Sequence, residues 1–178
     1  MRSNIIFTLT GTDRIGLVEE VTKGLLNLGG NIETSRMARL GGEFAILMLV
    51  SISSERVGDL DRFIQKLTSE GFKVTVSKTD QTADVLHSNW LGYHIEVNGA
   101  DHEGIVHQVA FELSQRKINI ESMETETTLA PMSGTQLFSM TAAIAVPPDL
   151  IGSGWESKII DVGQRLNVDI KISETKTS

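Results

Sequence analysis

The amino-acid sequence predicts an α+β protein built as two tandem βαββαβ units, each an antiparallel four-stranded sheet with two helices on one face. Three observations carry this reading. The chain repeats itself: Gly11–Val21 reads GTDRIGLVEEV and Gly99–Val109 reads GADHEGIVHQV, an offset of 88 residues (99 − 11). Within each copy, segments of period-two alternation mark strands with one buried face. Between them, segments with apolar residues at helical spacing mark amphipathic helices.

Over Ile5–Glu33 and its counterpart, Gly11, Asp13, Gly16, Val18, Val21, Leu25, Asn31, Ile32 and Glu33 recur without a gap, nine identities that point to duplication. Beyond this stretch the offset slips. Phe44-Ala45-Ile46 aligns with Phe138-Ser139-Met140, an offset of 94 residues (138 − 44), so the second copy carries about six extra residues near Ala130–Thr135. The first copy turns there at Gly41-Gly42, a compact hairpin signal.

In the first copy, Ile5, Phe7 and Leu9 alternate as a strand. Ile15, Val18, Val21, Leu25 and Leu28 recur as one helix face, and Gly29-Gly30 stops the helix. Ile32–Leu40 reads as an edge strand, because Thr34 and Arg36 interrupt its apolar residues. Phe44, Ile46, Met48, Val50 and Ile52 alternate while Ala45, Leu47 and Leu49 make the other face apolar too, which predicts a central strand covered on both sides. Val57, Leu60, Ile64 and Leu67 form a second helix, and Phe72, Val74 and Val76 a closing strand.

The second copy follows the same order. Its strands centre on Leu91–Val97, Phe138–Val146 and Val168–Ile172, and its helices carry Val106, Val109, Ala110 and Leu113, then Trp155, Ile159 and Val162. Glu121–Thr128 (ESMETETT) reads as an acidic, exposed edge strand, with a docking surface as the sharper option, and Arg36 and Arg39 give the matching strand the opposite charge. Residues 1–80 and 90–178 are the expected domains, with 81–89 a polar linker. The element order is the ferredoxin-like plan.

Composition excludes several functions. The formal net charge of −7 argues against direct nucleic-acid binding, which needs a cationic surface. The absence of Cys excludes disulfides, thiolate zinc sites and cysteine nucleophiles. No long apolar run opens the chain or crosses a membrane, which fits a cytoplasmic protein. His87, His94, His102 and His107 form no metal motif, and no G-x-S-x-G, G-x-G-x-x-G or Walker run occurs, so no cofactor, metal or catalytic residue is assigned. Trp90 and Trp155 read as packing residues.

The run Asp13-Arg14-Ile15-Gly16-Leu17-Val18, followed by Asn31-Ile32-Glu33, resembles the signature of the ACT domain family of small-molecule sensors. Ile15, and His102-Glu103 in the second copy, depart from the family's D-R-P-G pattern. Asn31–Phe44 (NIETSRMARLGGEF) is similar to the glycine cleavage system transcriptional repressor group, which consists of stand-alone tandem ACT proteins. The resemblance implies a non-enzymatic regulator that binds an amino acid, with glycine as a candidate, where two domains meet. It also implies control of a protein partner, a DNA-binding activator, and is compatible with a homodimer. The alternatives are a scaffold with vestigial pockets and a regulatory subunit of an amino-acid or folate enzyme. Two repeats occupy the sequence, so no separate catalytic domain is expected within it.

The expected site is the strand-to-helix turn: Asp13, Arg14, Ile15, Gly16 and Leu17, and in the second copy Asp101, His102, Gly104 and Ile105. Unpaired N–H groups and the dipole at a helix start attract a carboxylate. Gly16 and Gly104 allow close approach, and Asp13 or Asp101 offers an ammonium partner. Asn31-Ile32 and Asn119-Ile120 are expected beside it, each Asn contributing a carboxamide that donates and accepts. The same residues have structural readings: Asp13 and Asp101 as N-caps, Gly16 for tight packing, Asn31 as a turn residue, and His102 as a solvated surface group.

Overall fold

The structure, a computed structural model, describes residues 2–79 and 89–175. The chain divides into two compact units. The first contains β1 (Arg2–Thr12), α1 (Leu17–Asn27), β2 (Asn31–Leu40), β3 (Glu43–Ser53), α2 (Val57–Ser69) and β4 (Lys73–Thr79). The second contains β5 (Leu91–Ala100), α3 (Ile105–Gln115), β6 (Asn119–Leu129), β7 (Gln136–Val146), α4 (Trp155–Leu166) and β8 (Val168–Glu174). The sheets run β2-β3-β1-β4 and β6-β7-β5-β8, and every neighbouring pair is antiparallel. This is the ferredoxin-like arrangement, twice. The expected linker 81–89 lies, save for Asn89, outside the described residues, as does His87.

Alternation sets the core. Ile5, Phe7 and Leu9 of β1 and Ile46, Met48, Val50 and Ile52 of β3 share one buried sheet face. The helices cover that face, with Leu17, Val21 and Leu25 from α1 and Leu60 and Leu67 from α2. The second unit repeats the plan with Ile95 and Val97, then Ile105, Val109 and Leu113, then Trp155, Ile159 and Val162. Trp155 packs edge-on against Tyr93 at 5.3 Å, as a packing residue, with its indole N–H buried and unpaired.

Two expectations are corrected. The buried ridge of α1 is Leu17–Val21–Leu25, not one that begins at Ile15 and Val18, which are 103% and 37% exposed. In α3, Val106 likewise faces outward. Positions 18, 21 and 25 also satisfy helical spacing, and only docking onto the sheet decides which stripe is covered. The second correction concerns β3. Both helices of its unit pack on one face, so Leu47 on the other is 47% exposed and not enclosed. An apolar side chain records its own preference, not what covers it.

The hairpins explain the slipped offset. Gly41 and Gly42 have φ of 59° and 94°, the mirror-image turn a two-residue hairpin requires. The second hairpin closes a longer loop, with Ala130 N–H donating to the Thr135 carbonyl at 2.8 Å. On either side of the loops the registers agree, Gly11 opposing Phe44 and Gly99 opposing Phe138.

These pairings also show why Gly11 and Gly99 recur. A β-carbon on Gly11 would lie 2.5 Å from the Phe72 ring, and one on Gly99 would lie 2.6 Å from a Val168 methyl and 3.1 Å from the Val168 Cα. The first apolar residue of each closing segment fills the space a side chain would take. Gly99→Ala therefore forces Val168 and its backbone to shift. It is expected to destabilise the second unit by about 1–3 kcal/mol, read as a lower midpoint in thermal or urea unfolding, with little effect on the first unit.

Candidate functional site

Each β1–α1 type turn is shaped by one glycine. Gly16 has φ 86° and ψ −2° and caps α1; Gly104 has φ 93° and ψ −5° and caps α3. Neither helix start has a side-chain cap. Nothing lies within 4 Å of a β-carbon placed on either glycine. The glycines are thus required by backbone angle and not by crowding; a helix start leaves its first N–H groups without helical partners, and that of Leu17 bonds back to the Arg14 carbonyl at 3.3 Å. The N-cap reading of Asp13 and Asp101 is corrected, because the left-handed turn puts the glycine at the cap.

The other turn residues have identifiable tasks. Asp13 N–H donates to the Gly42 carbonyl at 3.0 Å, and its carboxylate meets Arg39 Nε at 3.1 Å. Asp101 N–H donates to the Gln136 carbonyl at 2.9 Å. Both bonds tie the turn to the neighbouring hairpin. Leu17 and Ile105 point into the core, leaving only their backbone at the turn. Ile15 stands fully exposed.

Arg14 donates to Glu20 and, at 2.9 Å, to Glu70, and its guanidinium lies 5.4 Å from the Phe72 ring centre. Lys66 joins the same cluster. Its ammonium, then Arg14, holds the Glu20 carboxyl below the usual carboxylate range. Arg14 therefore straps the turn to the end of α2. His102 occupies the equivalent place in the second unit. Its Nε2 lies 2.8 Å from the Leu166 carbonyl at the end of α4, and its Nδ1 lies 3.1 Å from the Glu103 carbonyl. Only the imidazolium donates at both nitrogens.

Asn31 and Asn119 do not join these turns within their own units. Asn31 opposes Ser51 at one end of the first sheet, whereas Asp13 adjoins Gly42 at the other. At a rise of ~3.3 Å per residue, the ladder between them spans roughly 25–30 Å. The expectation that turn and carboxamide share a cleft is therefore not met inside either unit. Local spacing hides this, because β2 starts at the opposite end of α1 from the turn.

Asn31 belongs to a different polar cluster that sequence reading missed. Its Nδ2 donates to Glu33 at 2.8 Å, and Ser51 Oγ donates to the same oxygen at 2.7 Å. Arg2 donates to the Ser51 carbonyl at 2.7 Å and to Ser51 Oγ. The Ser51 hydroxyl, then Asn31 and the charge of Arg2, lowers the Glu33 pKa. A β-bulge at Glu33 brings its carboxylate to this position. The available signal was one hydroxyl, Ser51, inside an apolar run. In the second unit Trp90 and Ala145 stand in place of Arg2 and Ser51, so Asn119 and Glu121 lack these two donors. Ile32 and Ile120 pack against their cores.

Among the described residues no group of His, Asp and Glu is placed to hold a metal, and no helix is long and apolar enough to cross a membrane.

Residues 3–77 match the ACT domain family model. A 47-residue stretch is 45% identical to the glycine cleavage system transcriptional repressor of Escherichia coli, covering 26% of this chain and 25% of the repressor, so the match spans about a quarter of that relative's length. A UPF0237 protein of Methanococcus maripaludis is 38% identical over 76 residues, covering 41% of this chain and 84% of that protein. The crystal structure of an unknown protein from Galdieria sulphuraria matches with a TM-score of 0.84 at 31% identity, covering 99% of this chain and 100% of that one.

The His102 contact has a pH dependence with a definite sign. The Leu166 carbonyl first, then that of Glu103, raises its pKa above the ordinary 6.5. The stabilisation is fully present below 6.5 and is lost as pH rises through the raised value. The melting temperature of the native chain is expected to fall across that window relative to His102→Gln, which flattens this component of the profile.

Proposed function

We propose that this chain, whose residues 3–77 match the ACT domain family and whose second unit repeats the same fold, is a non-enzymatic regulator that binds an amino acid. One observation carries the reading: both units open their first helix with an uncapped N-terminus behind a left-handed glycine that faces open space. A carboxylate is the group such a helix start stabilises. Gly16 with the backbone N–H groups of the first turn of α1, and Gly104 with those of the first turn of α3, would hold it. Asp13 and Asp101 are the anionic groups available to an ammonium, Asp101 being without the arginine that meets Asp13. Arg14 and His102 position the turn. Asn31, Ile32, Asn119 and Ile120 are assigned no contact with a ligand held at their own unit's turn.

Relatedness to the glycine cleavage system transcriptional repressor supports glycine as the effector and a DNA-binding activator as the partner. The net charge of −7 favours acting through a protein over contacting nucleic acid directly. A ligand that binds one state of the regulator better shifts the population the partner reads. The reading places the protein in the cytoplasm.

Calorimetric titration with glycine and the other amino acids tests the reading. Saturable binding in the micromolar to millimolar range is expected, with a raised melting temperature and no turnover. Gly16→Asn and Gly104→Asn keep a residue that tolerates positive φ while filling the open space. They are expected to weaken binding about tenfold or more, roughly the loss of one charge-assisted hydrogen bond. Flat titrations for all amino acids would remove the sensor reading.

A further inference from the structure

The helix layer of the first unit holds an open groove of about 400 Å³ where the C-terminal end of α1 meets one face of α2. Leu28, the residue that closes α1, and Phe63 of α2 form its apolar floor, and both are half-buried. Phe63 is held from below. Its ring stacks on Phe7 at 6.5 Å and lies across Gly24, where a β-carbon would overlap the ring. The floor is thus fixed by the core and by a glycine of the neighbouring helix.

The walls are charged. Asp59, Arg62, Phe63 and Lys66 follow at helical spacing and share one face of α2, and Arg56 precedes them at the helix start. Three cations therefore line the groove against one carboxylate, a local charge of +2 (3 − 1) in a chain whose net charge is −7. Arg56 pairs with Asp59 at 3.1 Å, and Lys66 with Glu20 at 2.5 Å. Arg62 is exposed and has no partner among the described residues. At ~1.5 Å of rise per residue, the row from Arg56 to Lys66 spans roughly 15 Å. In the second unit α4 mixes Glu156 and Asp161 with Lys158 and Arg165, so the cationic face belongs to one unit.

We infer that this groove docks an acidic segment of a partner protein, one that carries an apolar side chain between carboxylates. The apolar side chain rests on Leu28 and Phe63. A carboxylate beside it meets Arg62, the cation with no internal partner, and further carboxylates lie beside Arg56 and Lys66. At ~3.3 Å per extended residue, about five residues of such a segment span the cationic row. A nucleic acid fits less well, because its phosphate backbone meets the field of a chain of net charge −7 beyond the groove. The inference rests on the chain acting through a protein partner and not on the amino-acid reading. The groove lies at the opposite end of α1 from the Gly16 turn.

NMR titration of the isotope-labelled full chain with the end-blocked peptide Glu-Glu-Phe-Glu-Glu tests it, with no amino-acid effector present, so that its outcome is separate from that of the calorimetry. Saturable shifts are expected at the amides of Leu28, Arg62 and Lys66, weakening as salt screens the contact. Arg62→Glu is expected to lower the affinity about tenfold or more, because an attraction becomes a repulsion. Arg165→Glu makes the same charge change on α4 and is expected to leave the affinity unchanged. Circular dichroism confirms that these exposed substitutions leave the fold intact. Exchanging the peptide's Phe for Ser is expected to weaken binding through loss of the apolar contact. The inference is overturned by a titration without shifts, by shifts centred away from the groove, or by equal losses in the two variants, which would reflect net charge alone. Tighter binding of an oligothymidylate of the same length also overturns it.

Discussion

Each unit depends on one dry layer between a single sheet face and two helices. Ile5, Phe7 and Leu9 meet Val21 and Leu25 across that layer in the first unit, and Ile95 and Val97 meet Val109 and Leu113 in the second. A buried side chain of this size contributes about 1.5–3 kcal/mol, so a dozen or so such residues supply most of the drive to fold an 80-residue unit. Everything else is arranged around keeping the layer closed. Gly11 and Gly99 surrender their side-chain space to Phe72 and Val168. Gly16 and Gly104 reverse the chain so that Leu17 and Ile105 enter the core at the first position of the helix.

The same constraint leaves the sheet's other face and its outer edges free to vary, and there the two copies diverge. Arg14 and His102 solve one problem, anchoring the turn to the end of the second helix, with a permanent charge in one unit and a titratable one in the other. Arg2 and Ser51 build a closed polar cluster with Glu33 and Asn31, where the second copy has Trp90 and Ala145. Arg36 becomes Glu124. Duplication preserved what backbone angle and packing demand. Among the polar groups Asp13, Asn31 and Glu33 recur, while others changed at small cost on an exposed surface.

That division also bears on the proposed sensor chemistry. The helix starts are common to both units because the fold needs a left-handed residue there. Their positive ends are therefore inherited with the architecture, while in the proposed sensor selectivity would come from the diverged side chains around them. A regulator with two related but unequal units can respond in one and hold a partner with the other, since binding and contact then draw on different residues.

The sequence alone determined the duplication, the order of elements, the strand faces and the two helix-opening turns, because identity, alternation and glycine placement are local properties of the chain. It also located the six-residue difference between the hairpins. The tertiary structure decided which stripe of α1 and α3 is buried, that Leu47 stays half-exposed, and that Asn31 stands a sheet's length from Gly16. It also decided that Ser51 links Arg2 to Glu33. Each of these depends on residues far apart in the chain, brought together by strand register and helix docking, and spacing along the chain carries no record of which partner register will supply.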